Sequence, residues 1–300
     1  MTKPVLWLTC GFAFSATSPL AYTFEQNNFV HSGYYKEIDF LINLEKNGRM
    51  EGPLPGEKGC IKLEFKQKKI RRHLYHQLRY TRKTKHQVTP KYKVPDAHKI
   101  AYEPYTISQF IDYHLALWDI VKVDGYKGVA NFSNQNRRLS HEFLSENSEL
   151  LMKHFDVKCG LIVRDPIRRA WAFGHTKGLE VFHPSHNWDY LYNYDKFRKY
   201  LPTHIIVMEE LWEGDGTEKA RLEEFIDHPI DKLYKNQFAP DRGHLLEYDE
   251  DLRDQSAKLP ELTSELYEQM RHTMFAKTYR DWEKRFGKLP LYWGKPLEYK

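Results

Sequence analysis

The chain has 300 residues, 41% hydrophobic and 15% aromatic, enough to bury a sizeable core in one large α/β domain or two small ones. No uninterrupted apolar stretch reaches the ~18–20 residues of a membrane-spanning helix, and three scattered cysteines (Cys10, Cys60, Cys159) give neither a disulfide framework nor a CxxC metal pair. Net charge is +5, yet eleven Lys or Arg and no acid lie between Lys66 and Lys93, leaving 35 bases against 41 acids elsewhere.

In chain order, the first element is VLWLTCGFAFSATSPLAYTF, residues 5–24. Lys3 followed by an apolar run ending near Ala21 has the outline of a secretory signal peptide. Only one base precedes the run, however, and Gly11, Ser15, Thr17, Ser18 and Pro19 interrupt it where a hydrophobic centre would continue. A buried strand over 5–10, a turn and a helix is the better reading, with Ser18 as N-cap and Pro19 at the first helical position. Together with the sparse cysteines, this makes the cytoplasm, a reducing compartment, the expected location.

A strand that enters a tight turn and then a helix brings backbone N–H groups and a helix dipole to one point, which suits an anion. GFAFSATSP, residues 11–19, has this shape. It lacks the GxxxxGK[ST] of nucleotide triphosphatases, whose Lys reaches the β/γ-phosphates and whose hydroxyl holds magnesium. On this stretch alone an ordinary strand–helix turn remains an equal alternative.

Between 46 and 106 the pattern weakens: loop, a short helix marked by Ile70, Leu74 and Leu78 with basic flanks, then loop. The organisation expected is a single domain over 1–300 with a basic insertion or lid around 46–106. The basic block interleaves Tyr75, Tyr80 and Tyr92, which a nucleic-acid surface would welcome, but no nucleic-acid motif accompanies it. A solvated basic face is the plain alternative.

Further strands are expected over 128–132, 158–163 and 204–208, alternating with amphipathic helices. Ser133 or Asn134 caps a helix through Leu139, Phe143, Leu150, Leu151 and Phe155, and Asp165-Pro166 opens another. Glu209 and Glu210 begin the helix after the last strand and receive no chemistry. A late helix carries Leu266, Met270, Met274, Trp282 and Phe286 as one core-packing stripe. Such βαβ alternation predicts an α/β fold with a central parallel sheet flanked by helices. The fifteen histidines show no HxxxH or HExxH spacing, and no metal is expected.

KCGLIVRDPIRRAWAF, residues 158–173, ends an apolar strand in Arg164-Asp165-Pro166 and runs on into a helix. Here the sequence resembles the sulfotransferases that use 3′-phosphoadenosine 5′-phosphosulfate (PAPS). In that family R-D-P-x-x-R-A-x-S binds the donor's 3′-phosphate. Phe14, Ser15, Ala16, Thr17 and Ser18 stand in the places of the family's K-x-G-T-[TS] phosphosulfate loop. YYKEIDFL (34–41) resembles the K-E-x-x-[FY]-[FL] segment of the glycan-modifying branch, and GVANFSNQN (128–136) that branch's G-[DE]-x-[ST]-P stretch. HIIVMEELWEGDGTEKARLEEFI (204–226) resembles its late strand and helix. The pieces follow family order over most of the chain. Two positions depart from it: Phe14 replaces the loop lysine, and Ala172 the serine that partners the 3′-phosphate.

The resemblance implies a P-loop kinase-like sulfotransferase fold and transfer of a sulfuryl group from PAPS, without metal, to a hydroxyl, with carbohydrate or another anionic glycan as acceptor. Arg164 would take the 3′-phosphate bidentately, and the 15–18 backbone the 5′-phosphate. Glu37 stands at the general-base position, and its plain reading is a surface Glu opening a helix. Lys36 is the nearest candidate to replace the loop cation, with His31 behind it. Asn131 and Ser133 lie where the family approaches its acceptor, although a strand-end cap explains Ser133 equally. Arg168 is read as a solvated helix residue, Arg169 is left open, and Trp171 is core. The basic block would then be a lid over the donor or a surface for an acidic glycan. The competing reading, favoured by Phe14 and Ala172, is a non-catalytic relative that binds a phosphorylated nucleotide or an anionic polymer.

Overall fold

The computed structural model describes residues 2–12, 15, 17–32, 40–47, 107–177, 189–234 and 262–295. Five strands form one parallel sheet in the order β2-β3-β1-β4-β5, flanked by helices, so the chain is an α/β protein. The strands are β1 (Val5–Thr9), β2 (Val30–His31), β3 (Gly128–Asn131), β4 (Asp156–Val163) and β5 (Thr203–Val207). Strand β1 is buried at all five positions, the apolar run expected where helices cover both faces of a parallel sheet. Four strands lie within two residues of their expected bounds. Strand β2, two residues long, has no sequence pattern to announce it.

Contacts divide the chain into two compact units, residues 1–9, 24–159 and 200–202 in the first and 10–23, 160–199 and 203–300 in the second.

In the first unit, β3 pairs in parallel with β1, Val5 opposite Gly128, and with β2, Val30 opposite Gly128. Trp7 is the centre of an aromatic cluster, edge-on to Phe24 at 4.8 Å and to Phe29 at 6.3 Å, with Phe132 at 6.5 Å. Its indole N–H donates to Thr9 Oγ1 across 3.0 Å, so the large ring is buried without an unmatched donor. Helices α2 (Phe40–Asn47), α3 (Ile107–Val121) and α4 (His141–His154) belong to this unit. The helix expected to start at Ser133 or Asn134 is instead two elements. Ser133 caps a 3-10 turn, Asn134–Arg138, and α4 starts afresh behind Ser140, whose Oγ accepts from the Phe143 N–H at 3.0 Å.

Helix α1 (Thr17–Gln26), whose residues 17–23 belong to the second unit, begins one residue earlier than expected. Ser18 is therefore helical rather than the cap, and Pro19 sits within the first turn, where a missing N–H costs no helical bond. Helix α5 (Pro166–Lys177) starts as predicted, with Asp165 Oδ1 accepting from the Arg168 N–H at 3.0 Å. Helices α6 (Tyr190–Arg198), α7 (Met208–Glu213) and α8 (Thr217–Ile226) follow, with Glu209 and Glu210 in the first turn of α7 as expected.

The late helix is broken. Helices α9 (Ser264–His272) and α10 (Ala276–Phe286) are separated where Thr273 leaves the helical region, at φ −112° and ψ −83°. The break resets the helical phase. Met274 and Phe286, placed on the core stripe by a continuous helix, are each 41% exposed, while Tyr267 and Tyr279 take the buried places. Trp282 and Trp293 complete that core, their rings 4.6 Å apart. Among the described residues no helix is long and apolar enough to cross a membrane.

Candidate functional site

The chain leaves β1 towards β2 and β3 on one side of the sheet order, and leaves β4 towards β5 on the other. Neighbouring strands whose connections diverge make a topological switch point, and open α/β sheets bind ligands at the carboxyl ends of such strands. The segments that follow these two strands, from Cys10 and from Arg164 onward, both lie in the second unit.

After β1, the Cys10 N–H donates to Gly160 O at 3.0 Å, so the chain stays bonded to β4 as it leaves the sheet. Gly11 follows. A Cβ there would meet the backbone N and O of Ile162 at 3.1 Å, a tight contact that favours glycine. Phe12 is fully buried, packed edge-on to Tyr190 at 4.9 Å. The turn then tightens, with the Ser15 N–H donating to Phe12 O at 3.3 Å. Ser15 is fully buried, and its Oγ has no hydrogen-bond partner among the described residues. Thr17, also buried, is the first residue of α1, a ten-residue helix whose N-terminus offers N–H groups and the positive end of a dipole. Burial pushes the Cys10 thiol up to about 12, so it is a neutral packing group rather than a nucleophile.

After β4, Arg164 is half-buried and its carbonyl accepts from Tyr190 OH at 2.7 Å. Asp165 is fully buried. Its N–H donates to Glu209 Oε1 at 2.9 Å, and its Oδ2 accepts from Tyr267 OH and Tyr279 OH, each at 2.8 Å, and from the Gly294 N–H at 3.3 Å. Burial pushes the Tyr190, Tyr267 and Tyr279 hydroxyls up, and all three remain donors at any ordinary pH. Burial likewise raises Glu209, against hydrogen bonds from the Asp165 N–H and the Trp293 indole that favour its carboxylate.

The two arginines that follow are not solvated. Arg168 is 8% exposed, its Nη2 donating to Lys295 O at 2.9 Å, which corrects the reading of it as a solvent-facing residue. Arg169 is 1% exposed and stacks over Phe12 at 4.6 Å and Tyr190 at 5.1 Å. Desolvation lowers its pKa, and the neighbouring Tyr190 acts in the opposite direction. Trp171 is buried, as expected of core.

Of the residues singled out in the sequence, Ser15, Thr17 and Arg164 lie in these two segments of one unit. Ser18 and Ala172 fall within α1 and α5. Phe14, Ala16, Lys36 and Glu37 lie outside the described residues, as does the basic block. Asn131 and Ser133 belong to the first unit and are buried. Asn131 Oδ1 accepts from the Ser133 N–H and from Asn136 Nδ2, both at 3.1 Å, and Ser133 Oγ accepts from the Gln135 N–H at 3.1 Å. His31 ends β2, edge-on to Tyr126 at 5.1 Å. Among the described residues no group of three or more His, Cys, Asp or Glu is arranged to hold a metal.

Sequence reasoning missed Tyr190, Tyr267, Tyr279 and the buried role of Glu209. Each acts on the Arg164–Asp165 turn from a distant part of the chain, and no local pattern points to them. No known protein family, curated protein or solved structure matches the chain.

Proposed function

We propose that the protein is a sulfotransferase of the P-loop kinase-like type, moving a sulfuryl group from PAPS to a hydroxyl of a carbohydrate acceptor. The observation that carries this reading is the pairing, in one compact unit, of a glycine-led loop ahead of α1 with an arginine-bearing turn after β4. Ser15 tests the fit: a fully buried hydroxyl with no described partner suits a phosphate oxygen.

In this reading the 15–18 backbone and the N-terminus of α1 bind the 5′-phosphate, and Arg164 orients the 3′-phosphate with a bidentate guanidinium. Bound PAPS supplies the sulfuryl group, passed in line to the acceptor oxygen as its bond to the phosphate oxygen breaks. Glu37 removes the acceptor's proton and Lys36 stands in for the cation that Phe14 displaces, the roles that the resemblance gives them.

The second reading, a non-catalytic protein that binds a phosphorylated nucleotide or an anionic polymer, draws on Phe14 and Ala172. Calorimetric titration with adenosine 3′,5′-bisphosphate, beside ATP and without magnesium, tests the shared part. Selective binding that is lost in Arg164→Ala is expected. Absence of binding at millimolar ligand sinks both nucleotide readings. Glu37→Gln then separates them, because an enzyme loses turnover at unchanged donor affinity.

A further inference from the structure

The Arg164–Asp165 turn is held by more bonds than a helix start requires. One carboxylate oxygen suffices for an N-cap, and Asp165 Oδ1 fills that role by accepting the Arg168 N–H. The second oxygen, Oδ2, accepts two phenol hydroxyls and a backbone N–H, from Tyr267, Tyr279 and Gly294, all more than 100 positions along the chain. The same C-terminal stretch reaches two more points on the turn. Trp293 Nε1 donates to Glu209 Oε2 at 3.1 Å while Glu209 Oε1 holds the Asp165 N–H, and Lys295 O receives Arg168. All these residues lie within the second unit, and all but Lys295 are buried or half-buried. A buried carboxylate left short of donors is costly, so the turn keeps this form only while the C-terminal donors are in place.

We propose that the segment 264–295 is the positioning element of the anion site. Tyr267 and Tyr279 act through Asp165 to fix the backbone from which Arg164 projects. This inference rests on the reading of Arg164 as the 3′-phosphate anchor. The guanidinium of a bidentate contact must be aimed within a narrow angle, and the residue that aims it is the one whose backbone is clamped on both sides. Tyr190 OH grips the Arg164 carbonyl and Glu209 the next N–H. Tyr267 and Tyr279 are thus positioning residues, not ligand contacts.

The test is the double variant Tyr267→Phe/Tyr279→Phe, which keeps both rings and removes only the hydroxyls. Two quantities are read: the ratio of affinities for adenosine 3′,5′-bisphosphate and adenosine 5′-monophosphate, which isolates the 3′-phosphate, and amide hydrogen exchange over residues 160–170 without ligand. The expected ratio falls about tenfold towards that of Arg164→Ala, and in the Arg164→Ala background the two tyrosine substitutions lower it no further. Exchange at the turn accelerates. Gly216→Ala, which strains a left-handed residue (φ 92°) outside the segment, is the control for general destabilisation and leaves the ratio unchanged. An unchanged ratio in the double variant overturns the positioning role. If the wild-type protein does not distinguish the two nucleotides, the donor reading falls, and exchange alone then decides the clamp: faster exchange confined to the turn upholds it, and unaltered exchange overturns it.

Discussion

A Cβ placed on Gly128 would lie 2.0 Å from the carbonyl oxygen of Val5, its register partner in β1. Real Cβ atoms do not come so close to backbone, and neither strand is at liberty to move, because both are buried along their length. Gly128→Ala is expected to lower the unfolding free energy by about 3 kcal/mol, the upper part of the overpacking range. The midpoint of urea denaturation measures it, and a change below a few tenths of a kcal/mol would show that the strands separate with ease.

Arg169 offers a different kind of test, because its charge rests against two aromatic rings. Lysine carries the same charge on a compact, strongly hydrated ammonium, which makes a poorer contact than a guanidinium with the Phe12 and Tyr190 rings. Arg169→Lys is therefore expected to cost about 1–2 kcal/mol in spite of conserving charge. Equal denaturation midpoints for the two proteins would refute the stacking role.

His114 links the first unit to pH. It is 1% exposed, its Nδ1 bonds Phe110 O at 2.8 Å, and burial lowers its pKa from 6.5 to about 4. A histidine kept neutral in the folded state binds fewer protons than it does unfolded. Its contribution is thus complete above pH 6.5 and is lost as pH falls from 6.5 towards about 4. His114→Leu should flatten this part of the stability profile, read as urea midpoints across the same window. A profile of unaltered slope would assign the acid sensitivity elsewhere.

Ser140 caps α4 through its side-chain oxygen. Ser140→Ala is expected to cost about 1 kcal/mol, and Ser140→Asp, which retains an acceptor, much less. Were both variants equally destabilised, the lost bond would not be the cause.

The sheet was legible where burial is two-sided. Runs such as VLWLT and GLIV admit few alternatives to a buried strand, and Asp165-Pro166 announces its helix through chemistry confined to three residues. Elements set by distant contacts were not legible. Nothing near Thr273 signals a break, so the phase of the last helix ran wrong and exposed Met274 where Tyr279 is buried. Arg168 reads as solvent-facing because a helical arginine usually is, and its burial depends on a carbonyl 127 residues away. The tight turn between β1 and α1 was recognisable by its small residues and glycine. The tyrosines that hold the neighbouring turn were not, because a phenol that donates to a remote carboxylate leaves no periodic trace.

Cys10 and Cys159 are both fully buried, one in each compact unit. Thiol-specific alkylating reagents act on the exposed thiolate, so each of these side chains waits for its own surroundings to open. Labelling resolved by peptide mass therefore turns the two cysteines into separate clocks. Equal rates would describe a chain that opens as one body, and unequal rates would rank the halves by how often each comes apart.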